Sequence, residues 1–217
     1  MVCEINRIHL ELSLSSLKIG IRKVVVAFMN TREVSLKPIS NIKYRGVVLL
    51  YKISSPFCSV KRQINLLNLK KGMVIVDWGC GPGRHTIPSS QSVGDKGKVF
   101  AVDIHPLAIT NIREKARRSG LRNIEPLLIS SYDTGIKNAS VDLVLLIDII
   151  PIIKDTKPLF TEIHRLLNKQ GRAYISHSHL SMEITRKLVE DSGLFTVSEC
   201  QGHDMFIIPV ENRNIAS

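Results

Sequence analysis

Between residues 73 and 210, short and densely apolar runs alternate with longer stretches in which apolar residues return every three or four positions. The run at 73–76 is apolar on successive residues, and those at 98–102, 124–129 and 141–147 are mostly apolar, broken only by Lys98, Glu125 and Asp142, the pattern of strands buried on both faces. Between them, 84–91, 106–119 and 157–168 read as helices. Leu107, Ile109, Ile112 and Ala116 form one apolar stripe, and Leu159, Phe160, Ile163, Leu166 and Leu167 another. Residues 172–176 read as a fifth strand, 183–192 as a last helix ended by Gly193, and 195–200 with 205–210 as an antiparallel pair. This alternation predicts an α/β fold: a three-layer α/β/α sandwich on a seven-stranded, mostly parallel sheet that closes with a C-terminal antiparallel hairpin.

Upstream the pattern changes. Over 42–69 it is helical, with Val47, Leu50 and Tyr51 before a Ser54-Ser55-Pro56 break and Val60, Ile64 and Leu67 after it. Residues 8–14 alternate as a strand would and 24–28 form a compact apolar run, but neither carries a motif. Residues 1–41 are therefore set apart as an N-terminal extension that could be a lid, an oligomerisation segment or a translated upstream piece. Residues 42–217 form the main domain.

A chain of 217 residues with 44% hydrophobic residues suits one domain with a sizeable core. Its four cysteines, Cys3, Cys58, Cys80 and Cys200, make no C-x-x-C pair and no secretory leader is expected, so neither a disulfide framework nor a zinc ribbon is predicted and the expected compartment is cytoplasmic. The longest apolar stretch, 141–153, contains Asp142, Asp148 and Pro151 and is too short to span a bilayer, so no membrane partner is expected. A net charge of +11 admits RNA as a partner, but with aromatic residues at 5% there are few rings to stack on bases. A small-molecule substrate is the preferred reading. Oligomeric state is not encoded in any pattern found.

The chemistry concentrates in Met73–Thr86, MVIVDWGCGPGRHT. A buried strand stops at Asp77, and Gly79, Gly81 and Gly83 then fall on alternate positions before a helix begins near Arg84. Strand, bare backbone and helix place amide N–H groups at the carboxyl edge of a sheet, where open α/β folds bind small molecules. A dinucleotide site requires G-x-G-x-x-G and tolerates no acid against its pyrophosphate. Here the spacing is G-x-G-x-G and Asp77 stands at the strand end, an arrangement that favours a cation.

These residues resemble motif I of the class I S-adenosylmethionine-dependent methyltransferases, an acidic residue followed by G-x-G-x-G. The resemblance covers about residues 42–210 and implies a Rossmann-like sheet with S-adenosyl-L-methionine as cofactor. It further implies that Asp77, Gly79, Cys80, Gly81 and Gly83 take the amino-acid end of that cofactor. Asp103 and Ile104, closing the second strand, would take the ribose; a carboxylate has two oxygens for two vicinal hydroxyls. Ser131 and Tyr132 follow the third strand where the family usually places an aspartate for adenine, with Asp133 two residues beyond Ser131. Asp148, ending the fourth strand, would border the sulfonium and the acceptor.

Catalytic candidates are Asp148, His177 and His179. The two histidines flank Ser178 after the fifth strand, so their side chains would point the same way on an extended chain. No third ligand can be named, and no metal site is expected. The segment after Asp148 reads Ile149-Ile150-Pro151-Ile152-Ile153, an apolar lip in place of an N-P-P-[YF] run, which weighs against N6-adenine or glutamine chemistry. The expected activity is methyl transfer to an unidentified, small-molecule acceptor. The alternatives are an RNA methyltransferase, a non-catalytic S-adenosylmethionine-binding protein and, with other glycine spacing, an NAD-dependent oxidoreductase.

Overall fold

Helices α1 (Asn41–Ser54) and α2 (Val60–Leu66) precede an alternation of β1 (Val74–Trp78), α3 (Thr86–Val93), β2 (Lys98–Asp103), α4 (Pro106–Arg118), β3 (Ile124–Leu128) and β4 (Val141–Ile147). A single 3-10 turn (Ile150–Ile152), α5 (Lys157–Leu166), β5 (Leu167–Ser176), α6 (Met182–Asp191), β6 (Phe195–Gln201) and β7 (Asp204–Pro209) complete the order. The computed structural model describes residues 37–54, 60–177 and 180–210. The strand-like run at 8–14, the apolar run at 24–28 and the candidate His179 lie outside the described residues.

One seven-stranded sheet runs in the order β3-β2-β1-β4-β5-β7-β6, parallel from β3 to β5, with β7 antiparallel to both β5 and β6. Successive strands step outward from β1 in one direction and then from β4 in the other. The carboxyl ends of these two neighbours are thus the switch point, where a crevice opens above the sheet.

The period of two along each strand divides the core. Val76, Val144 and Leu146 pack in one buried cluster with Leu159, Phe160 and Ile163 of α5 and Val189 of α6. Ile75, Leu143, Leu145 and Tyr174 face the other way, with Leu67 after α2 and Val93 of α3. Ile112 of α4 meets Ala101 and Cys80 in a third, smaller cluster.

Three boundaries differ from the sequence reading, each for a local reason. β1 continues through Asp77 and Trp78, because both are laddered to β2 and β4; Asp77 is inside the strand rather than after it. α3 begins at Thr86, since Gly83 is still in a left-handed turn with φ +81°. β5 starts at Leu167, directly after α5. Leu167 pairs with Val141 before the register shifts, Asn168 donates to Asp142 at 2.7 Å, and a Cβ on Gly171 would lie 2.7 Å from the Val141 carbonyl oxygen. The stretch expected to turn instead hugs the start of β4.

Candidate active site

The loop after β1 is fixed by its own backbone. Gly79 and Cys80 N–H both donate to the Val102 carbonyl, at 2.8 and 3.0 Å, and Gly83 N–H donates to Cys80 O at 2.9 Å. Gly79, Gly81 and Gly83 have φ of +72°, +50° and +81°, a region that side chains strain. Space matters as much: a Cβ on Gly79 would stand 2.1 Å from Ile149 Cδ1, and one on Gly83 2.5 Å from Ile112 Cδ1.

Two carboxylates flank this loop. Asp77 is buried and accepts from the Thr86 hydroxyl at 2.5 Å. Burial pushes its carboxyl up to about 6; the Thr86 bond opposes the rise and nearby Asp103 adds to it. Asp103 accepts from Gly81 N–H at 2.9 Å on one oxygen and from His105 N–H at 2.8 Å on the other. Burial raises its carboxyl as well, against the pull of those amides. Burial and the two acids together raise the intervening Cys80 thiol. Among the described residues neither carboxylate forms an ion pair. One buried and one half-buried acid without a counter-ion, beside open backbone, make a site suited to a cation with hydroxyl donors.

The remaining predicted residues fall around this centre unequally. Ile104 is half-buried, and Tyr132 stacks its ring 6.4 Å from that of Trp78. Ser131 is exposed just past β3, while Asp133 uses its carboxylate to accept from Gly135 N–H at 2.9 Å in a turn of its own. Asp148 is half-buried with φ +57°, and its N–H donates to Ser176 O at 2.8 Å. His177 is buried at the base of α6, its Nε2 2.8 Å from the Thr185 hydroxyl, which directs that nitrogen into the fold rather than the crevice.

Four residues that sequence reasoning passed over shape the site. His105 caps α4, accepting from Leu107 N–H at 3.2 Å on Nδ1 and donating from Nε2 to Ile39 O at 2.9 Å. Tyr44 of α1 stacks on it at 4.1 Å between centroids. The signal available was Pro106, since proline at the first helical position makes its predecessor the cap. His85 and Gln63 meet at 2.9 Å on the opposite side of β1. The basic face of α4 is partly neutralised within the chain: Arg117 and Arg118 pair with Glu114 at 3.2 and 2.6 Å, and Lys115 donates to Pro82 O.

A family model described as "Methyltransferase domain" matches residues 69–210. The chain is 33% identical over 85 residues to aklanonic acid methyltransferase DauC of Streptomyces sp. (strain C5), a match that covers 39% of each chain. It is 28% identical over 142 residues to human arsenite methyltransferase, covering 61% of this chain and 37% of that one. The chain thus spans less than two fifths of the length of these curated relatives. A putative S-adenosyl-L-methionine-dependent methyltransferase from Methanococcus maripaludis superposes with a TM-score of 0.68 at 15% identity, over 86% of this chain and 98% of that one, and so shares the fold.

Proposed function

Because the chain belongs to the methyltransferase domain family, we propose that it transfers a methyl group from S-adenosylmethionine to a small-molecule acceptor. The observation that carries this reading is the pair of acids without a counter-ion, buried Asp77 and half-buried Asp103, on either side of the Gly79–Gly83 loop. When bound, the cofactor supplies an electrophilic methyl group on a cationic sulfur.

This chain's residues bind and orient. Asp77 offers negative charge to the cationic end, and the open backbone at Gly79 and Gly81 admits close approach. Asp103, already oriented by two amide donors, accepts from the ribose hydroxyls, with Ile104 beside it. Ser131 and Tyr132 lie at the β3 end for the adenine, and Asp148 at the β4 end borders the acceptor. Ile149, seated over Gly79, and the buried Ile150 keep water from the reacting centre. Proximity and alignment supply most of the acceleration. Of the two described catalytic candidates, Asp148 follows the end of β4, whereas His177 is tied to Thr185 of α6.

The names of the two curated relatives support a small-molecule acceptor, and the isoleucine lip favours one with an apolar portion. Internal pairing of Arg117 and Arg118 reduces the surface available to RNA. A cytoplasmic location fits Cys80 and Cys200 as free thiols. No helix of the described residues is long and apolar enough to cross a membrane. Titration calorimetry with S-adenosylmethionine, S-adenosylhomocysteine and NAD tests the cofactor, and a panel of acceptors with labelled methyl donor tests the transfer. Saturable binding of the first two alone is expected; binding of NAD alone overturns the reading.

A further inference from the structure

A directional chain of hydrogen bonds runs from the C-terminal hairpin through α2 to the glycine loop. Asp204 on β7 is buried and paired with the Arg62 guanidinium at 2.9 Å. Its Oδ1 accepts from the Tyr174 hydroxyl at 2.5 Å and from the Ser176 hydroxyl at 2.9 Å. Ser176 has one hydroxyl proton and gives it to Asp204, so toward Gln63 its oxygen can only accept, from Nε2 at 3.1 Å. The Gln63 amide is thereby turned with Oε1 toward His85 Nε2, 2.9 Å away. A carbonyl oxygen cannot donate, so His85 carries its proton on Nε2. Burial, aided by the charge of Arg84, lowers the His85 pKa to about 4 and keeps the ring neutral at pH 7. Nδ1 then holds a bare lone pair.

The contrast with His105 is informative, since both of its ring nitrogens are used inside the protein. His85 Nδ1 does not cap α3, and among the described residues it accepts no other hydrogen bond. Its position selects the ligand group. Asp103 lies on the β2 side of β1, whereas Gln63, the partner of His85, is bonded to Ser176 at the end of β5, on the β4 and β5 side. With the ribose hydroxyls held at Asp103, the amino-acid end is the part of the cofactor that extends toward His85. The sulfonium has no proton to give; the α-ammonium has three.

We propose that His85 Nδ1 is a further cofactor-binding atom, accepting a hydrogen bond from the α-ammonium of S-adenosylmethionine, and that Gln63 is the positioning residue that fixes its tautomer. This rests on the reading of the loop as the S-adenosylmethionine cradle. A neutral acceptor gives direction to the ammonium while adding no third anion beside Asp77 and Asp103, whose mutual repulsion burial already sharpens. The relay also accounts for the seating of α2. None of its residues is fully buried; Ile64 and Leu66 pack against the core, and Arg62 and Gln63 tie the helix to β5 and β7.

The test combines 15N NMR of histidine-labelled protein with calorimetry on the full chain, using S-adenosylmethionine and 5′-methylthioadenosine, which lacks the amino-acid end. Asparagine places a side-chain oxygen near the Nδ1 position, and glutamine an amide near Nε2. The His85 ring should be protonated on Nε2 in the wild type and mixed between tautomers in Gln63→Leu. His85→Asn should bind S-adenosylmethionine within about threefold of wild type and His85→Gln about tenfold or more weakly, with 5′-methylthioadenosine binding unchanged in both. Near-ultraviolet circular dichroism verifies that each variant is folded. Equal affinity of His85→Asn and His85→Gln for S-adenosylmethionine, equal weakening for both nucleosides, or an Nδ1-protonated wild type each overturns the proposal while leaving the cradle standing. A wild type that ignores S-adenosylmethionine overturns the cradle itself, and the proposal with it.

Discussion

Replacing Asp77 by Asn separates the stability of the cradle from its affinity. The Asp77 carboxyl, 4% exposed, is pushed up to about 6 from the value near 4 that it has in an unfolded chain. The folded state therefore holds the proton more tightly than the unfolded state. Stability is greatest below about pH 4, declines as pH rises through the folded value, and is level above it, lower by about 3 kcal/mol. Asparagine keeps an oxygen for the Thr86 hydroxyl and removes the anion. At pH 7.5 Asp77→Asn should be about 1–3 kcal/mol more stable, raising Tm by roughly 2–4 °C per kcal/mol. Cofactor affinity should move the other way, by about 10- to 100-fold, or about 1.4–2.7 kcal/mol. In the wild type, S-adenosylmethionine should bind about tenfold more weakly at pH 5 than at pH 7.5, because Asp77 must lose its proton to face a cation. The variant should show no such slope. Scanning calorimetry and binding titrations at both pH values measure all three quantities. A variant with unchanged Tm and unchanged affinity would show that the buried charge neither strains the fold nor meets the ligand.

Other outcomes follow from the same geometry. Asp103→Ala should abolish measurable S-adenosylmethionine binding at micromolar concentration by titration calorimetry; retained affinity would remove the ribose from this position. Gly79→Ala should lose binding and destabilise the fold by about 1–3 kcal/mol in urea, since its Cβ meets Ile149 Cδ1 at 2.1 Å; pairing it with Ile149→Ala should recover part of the stability but not the backbone strain. Ser131→Asp should tighten binding several-fold if this exposed residue reads the adenine amino group, and titration of adenosine-containing ligands would reveal no gain if it does not. Affinity for a generic structured RNA should be weak, and any that is found should fall steeply between 50 and 200 mM salt.

The sheet was legible because buried parallel strands are apolar on both faces and helices on one, and β1, β2 and β4 leave that trace most clearly. Motif I was legible for a different reason: positive φ favours glycine at Gly79, Gly81 and Gly83, and Ile149 and Ile112 leave no room for a Cβ at the first and last of them. Less could be read where partners are distant in sequence. Gln63 is an unremarkable helical glutamine until folding brings it to His85 and Ser176. His177 reads as a catalytic candidate because nothing in the strand before it announces Thr185 of α6 as its partner. The start of β5 was misplaced for the same reason: Asn168, Lys169, Gln170 and Gly171 carry turn propensity, and it is Val141 and Asp142 of β4 that hold this stretch against the sheet.

The fastening of Ile39 to His105 has a practical consequence for anyone trimming the chain. A fragment begun at residue 42 would strip the buried His105 imidazole of the carbonyl that accepts its hydrogen bond, stranding a donor beside Asp103. A recombinant product that keeps this bond must therefore include Ile39, ahead of the helix that begins at Asn41.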